Sequence, residues 1–137
     1  MKHWTLVWLL FTLVAAQDGK FSEGSLAGFT KSPTEHIINQ IDEPLVVRSV
    51  NGLIEFDSAN QEPLPRVLFE IRGPDGEKQI RQATTDRRGK FHVGHVPNGT
   101  YQFKATLNGF QSVVGTIVVT NKATKTKSIN ISMRIGD

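Results

Sequence analysis

From Leu45 onward the sequence predicts an all-β fold, a seven-stranded antiparallel β-sandwich. Apolar and polar residues alternate in run after run, turn-forming residues interrupt the runs at short intervals, and no helical period occurs among them. Alternation puts one face of a strand in a core and the other in water. Short strands with turn signals about every 8 to 12 residues describe a sandwich.

The strands fall near 46–57, 66–72, 79–84, 90–94, 100–107, 112–120 and 127–135. Val50, Gly52, Ile54 and Phe56 share a face of the first, and Val67, Phe69 and Ile71 a face of the second. Tyr101, Phe103, Ala105 and Leu107 form the most regular alternation, opposite Gln102, Lys104 and Thr106; Ile129, Ile131, Met133 and Ile135 form the last. Phe103 is therefore expected in the core. Lys104, on the reverse face, is expected in water, where its truncation changes stability by no more than about 0.5 kcal/mol.

Turn chemistry joins these runs, at Asp57 to Pro65, Gly73-Pro74-Asp75-Gly76, Asn108-Gly109 and Asn121 to Lys127. In Asp86-Arg87-Arg88-Gly89 the carboxylate can accept backbone N–H groups two residues on, and Gly89 supplies a positive φ. Pro97-Asn98-Gly99 is a second turn of this kind, with Pro97 fixing φ and Gly99 taking the strained position. Asp86, Gly89, Pro97, Gly99 and Gly109 are thus structural turn residues. Phe91 and Tyr101 are expected to face each other across the core.

The N-terminus has a different texture. Lys2, the apolar run Trp4–Ala16 and small residues before Gln17 have the layout of a secretory signal peptide, with Val14 and Ala16 at the two positions a signal peptidase reads. The run is shorter than the roughly 20 residues a spanning helix needs. Residues 1–16 are read as the signal, 17–44 as a flexible leader with one helical turn or added strand near Ile37, and 45–137 as the domain. No stable membrane span is expected once the signal is removed. The absence of cysteine in so small an exported chain points to a bacterial periplasmic or secreted protein.

Several function classes are poorly served. The net charge is +3, and loss of Lys2 with the signal leaves 15 basic against 13 acidic residues, well mixed in sign. That does not build the phosphate-neutralising stripe nucleic-acid binding requires. Zinc hydrolysis needs two histidines and a carboxylate converging on the metal; His92 and His95 straddle a strand exit with no acid in that strand. Two arginines beside Asp86 put positive charge where a calcium ion would sit. No Ser lies in a Gly-x-Ser-x-Gly elbow. Catalytic, metal and cofactor sites are therefore expected to be absent.

Glu62-Pro63-Leu64-Pro65 before a Val-containing strand, Thr85 to Phe91, Val96 to Tyr101 and Asn108-Gly109-Phe110 together resemble the carboxypeptidase regulatory-like domain. The resemblance covers about Val47 to Met133 and implies a transthyretin-like, prealbumin-like sandwich, also grouped with carbohydrate-binding-like folds. In metallocarboxypeptidases the domain is an appendage and the zinc ligands sit elsewhere, so no catalytic residue is carried over. Arg66, Arg87 and Arg88 depart from the small or acidic residues usual at those positions.

The expected function is that of a non-catalytic exported binding module, a cell-envelope or secreted protein-interaction adaptor. Its alternatives are a carbohydrate-binding module, which would engage envelope polysaccharide, and an accessory partner of a metallocarboxypeptidase. Beyond the signal there is no Trp, and Tyr101 and Phe103 are assigned to the core, which favours the adaptor. Leu68 and Phe110, with Lys122, Lys125 and Lys127 of the basic run Lys122–Lys127, are the candidate partner surface.

Overall fold

The run expected as one strand at 46–57 divides at Arg48-Ser49, and its two parts enter different sheets. A computed structural model describes residues 26–73 and 80–136; the signal segment, residues 17–25 of the leader and the Pro74-Asp75-Gly76 turn lie outside the described residues. Among the described residues nine strands form: β1 (Ile38–Gln40), β2 (Leu45–Val47), β3 (Val50–Phe56), β4 (Leu68–Arg72), β5 (Ile80–Thr84), β6 (Lys90–Val93), β7 (Gly99–Thr106), β8 (Ser112–Val119) and β9 (Ile129–Met133). The larger sheet has the order β1-β8-β7-β4-β5 with β2 also on β8, and the smaller has the order β6-β3-β9.

Two expectations are corrected here. Nine strands replace seven, because β2 separates from β3 and the leader contributes β1. The sandwich is mixed rather than purely antiparallel: β1 and β2 run parallel to β8, and β3 runs parallel to β9. The leader is the reason for the first parallel edge, since it returns along β8 before the chain crosses to the smaller sheet.

The core lies where the alternation puts it. Phe69 stacks between Phe91 (ring centroids 4.2 Å apart) and Phe103 (5.4 Å), joining the two sheets. Phe69 is thus the ring on which Phe91 stacks. Val50, Ile54, Val67, Ile71, Ile117, Ile129 and Met133 close around these rings, each 1% exposed or less. Gly115 sits opposite Phe103 in the β7–β8 ladder, and a Cβ there would come within 2.6 Å of that ring. Ile135, expected to continue the last apolar face, instead reaches solvent beyond the end of β9.

The reverse face of the larger sheet is not in water, and the reading of Lys104 changes with it. Residues 26–37 lie across that face, so Lys104 is 2% exposed, and Glu70 and Thr106 are buried beside it. Contacts from Ala27, Phe29, Thr30, Thr34 and Glu35 hold this segment, which lies within the stretch read as a leader, as a strap on the sheet. β8 carries the signal for this cover: SVVGTIVV is apolar on both faces, the pattern of a strand buried on both sides.

Candidate functional site

The turn at Asp86 is tightly built. Its Oδ1 accepts the backbone N–H groups of Arg88 at 2.8 Å and Lys90 at 3.0 Å, and the Gly89 N–H donates to the Asp86 carbonyl at 2.9 Å. The N–H donors of Lys90 and Arg88 hold the Asp86 carboxyl below its usual value. Gly89 has φ +76°, and a Cβ there would approach the Ile54 carbonyl oxygen to 2.5 Å. Pro97 accepts the Tyr101 hydroxyl at 2.7 Å, which ties the second turn to β7. The Gly109 N–H donates to Thr34 Oγ1 at 2.9 Å, so this turn anchors the strap.

His92 and His95 are both exposed, and the His95 carbonyl accepts a hydrogen bond from Arg81. Among the described residues no three His, Asp or Glu side chains gather as a metal site. The candidate partner surface is dispersed. Leu68 is half-buried in β4, and Phe110 packs edge-on against Phe56 with centroids 5.6 Å apart. Lys122, Lys125 and Lys127 are exposed in the β8–β9 loop.

The charged side chains that come together do so under the strap. Lys104 Nζ lies 2.8 and 3.0 Å from the two Glu35 carboxylate oxygens, with the side chains 2% and 4% exposed. Ser112, wholly buried, donates its hydroxyl to Glu35 Oε1 at 2.6 Å. Burial raises the Glu35 pKa, but the hydrogen bonds from Lys104 and Ser112 and the Lys104 charge outweigh it, and the net shift is downward. Glu70, opposite Lys104 in the β4–β7 register, accepts the Thr30 N–H and hydroxyl, each at 3.0 Å. Arg72 covers the Phe29 ring at 4.6 Å and bonds the Ala27 carbonyl and Gln102. A half-open pocket of about 630 Å³ lies along the strap, lined by residues that include Phe29, Lys31, Glu35, His36 and Ile38, together with Lys104 of β7.

A family model for the carboxypeptidase regulatory-like domain matches residues 49–134. The chain belongs to that family. Among solved structures it is similar to two interface mutants of a type II cohesin–X-dockerin complex from Acetivibrio cellulolyticus, each with 25% identity, TM-score 0.46 and 65% of this chain covered. The chain spans 58% of the length of the chain it matches there. It is also similar to a Pseudomonas aeruginosa protein provisionally described as carbohydrate-binding, with 19% identity, TM-score 0.41, 66% of this chain and 90% of that one covered. No curated protein sequence matches it.

The matched stretch begins just before β3, and the strap, β1 and β2 precede it. The sequence gives Glu35, Glu70 and Ser112 no role and places Lys104 in water, because Glu35 falls in the leader and charged residues on the polar side of alternating strands, such as Glu70 and Lys104, ordinarily face water. The two-sided apolar run of β8 was the available signal, but it does not say which segment provides the cover.

Proposed function

We propose that the mature chain is an exported, non-catalytic adaptor that binds protein at the bacterial cell envelope. The observation that carries this reading is the kind and place of its exposed apolar surface. Of the four exposed large aliphatic side chains among the described residues, Ile37, Ile38 and Val46 (43%, 38% and 41% exposed) belong to the edge formed by β1, β2 and the residue before them, and Ile135 (57%) lies apart, beyond β9. The rings of Phe29, Phe69, Phe91, Tyr101 and Phe103 are buried. Exposed aliphatic side chains along a sheet edge suit an added protein strand, whereas a sugar platform needs flat aromatic faces open to solvent.

The buried charges favour a structural role over catalysis. Ser112 has a carboxylate acceptor, but it is fully buried and its proton is engaged with Glu35, so no substrate carbonyl can reach it. Export rests on the Lys2, Trp4–Ala16 and Gln17 pattern. The test is binding of mature protein to isolated envelope after protease treatment or after periodate oxidation of sugars. Loss with protease and retention after periodate is expected. The reverse pattern would replace the adaptor with a carbohydrate-binding module.

A further inference from the structure

We infer that the β1–β2 edge docks an extended protein segment with basic residues between apolar ones, which adds to the larger sheet as a further strand beside β2. This rests on the adaptor reading and supplies the partner's chemistry.

The backbone comes first. The Ile41 N–H donates to the Val114 carbonyl and the Val47 carbonyl accepts the Thr120 N–H, each at 2.9 Å, so both residues turn toward β8. Successive residues of a strand turn their N–H and C=O groups to opposite neighbours. Val46 therefore turns its pair away from β8, to a side on which no described strand pairs with β2. An edge in this state accepts an added strand, with main-chain bonds supplying affinity and alternate side chains specificity.

The side chains then choose the partner. Ile37, Ile38 and Val46 offer aliphatic contacts at the two ends of the edge. Between them Asp42 and Glu43 are exposed, and neither makes an ion pair among the described residues. A second copy pairing antiparallel on this edge would set these acids against their own counterparts, which is unfavourable. A segment with Lys or Arg at its centre reverses that sign. Pro44 lacks an N–H and interrupts the ladder, confining pairing to short stretches on either side. Residues 37–47 precede the family-matched stretch at 49–134, so the family match does not cover this edge.

The probe is a capped heptapeptide, Ile-Arg-Val-Lys-Ile-Arg-Val, compared with the same peptide carrying Glu at its three basic positions. Each is titrated into isotope-labelled mature protein and followed by amide shifts and hydrogen exchange. Saturable shifts over residues 37–47 and the adjoining part of β8 are expected for the basic peptide, with new protection of the Val46 amide. The acidic peptide should bind at least about tenfold more weakly. Asp42→Asn with Glu43→Gln should lower the basic peptide's affinity about tenfold at low salt and much less at high salt, and Val46→Lys should abolish binding. Shifts elsewhere, equal binding of the two peptides, or no binding to the wild-type protein would overturn the inference. If envelope binding is then still protease-sensitive, only the partner chemistry is wrong; if it is periodate-sensitive, the adaptor reading fails as well.

Discussion

Lys104 sits on the polar side of an alternating strand, yet its truncation is expected to be among the costlier changes in the domain. Its ammonium lies about 3 Å from the Glu35 carboxylate, with both side chains almost fully removed from water. At an effective dielectric of about 20, charges about 3 Å apart attract by roughly 5 kcal/mol, and much of that offsets the desolvation of both ions. The pair as a whole therefore contributes little net stability, but removing one member leaves the other charged and buried. Lys104→Ala should cost about 3 kcal/mol, short of the usual upper range because the strap can lift and rehydrate Glu35. Replacing both partners, Lys104→Met with Glu35→Leu, should return stability to within about 1 kcal/mol of the parent. Urea unfolding of the three proteins measures this, and amide exchange over residues 30–40 reports the strap. A Lys104→Ala change below about 0.5 kcal/mol, with unchanged strap protection, would mean that Lys104 is an ordinary surface lysine and that the strap is not docked.

Three further outcomes are expected. Glu35 should titrate below its usual 4.5, and because its folded value is depressed, its contribution is complete above that pH and fades as pH falls through the folded value; carboxyl NMR should show this, with the midpoint rising in Lys104→Met. Phe103→Ala, which removes a fully buried ring from the Phe69 stack, should cost about 3–5 kcal/mol in thermal or urea unfolding. Gly89→Val should cost at least about 2 kcal/mol, since φ +76° is unfavourable for a β-branched residue and its Cβ would meet the Ile54 carbonyl; His92→Gln, at an exposed position, should stay within about 0.5 kcal/mol.

The core and most strands could be read from alternation alone. Phe69, Phe103, Ile129 and Met133 are buried on the faces assigned to them, and Asp86 and Gly89 make the turn their chemistry suggests. The two sheets' edges could not. Parallel pairing of β1 and β2 with β8 joins segments about 70 residues apart, and no local pattern encodes a partner at that distance. β1 is three residues long and takes its stability from the sheet it joins. Glu35 and Lys104 illustrate the same gap for charge: each belongs to a polar pattern that ordinarily means solvent, and only the strap's path turns them into a buried pair. The exposed edge at Ile37, Ile38 and Val46 was missed because Leu68 and Phe110 were the more conspicuous apolar candidates, and both are partly covered.

Binding of protein along the β1–β2 edge is open to site-specific photo-crosslinking. A photoreactive residue at position 46 and, separately, at 127 is introduced into the full chain in cells, and adducts are resolved after irradiation. A discrete protein adduct from position 46, absent from position 127 and lost when Asp42→Asn and Glu43→Gln are added, is the predicted result. Adducts from position 127 alone, or none from position 46 while the protein still binds envelope, would contradict it.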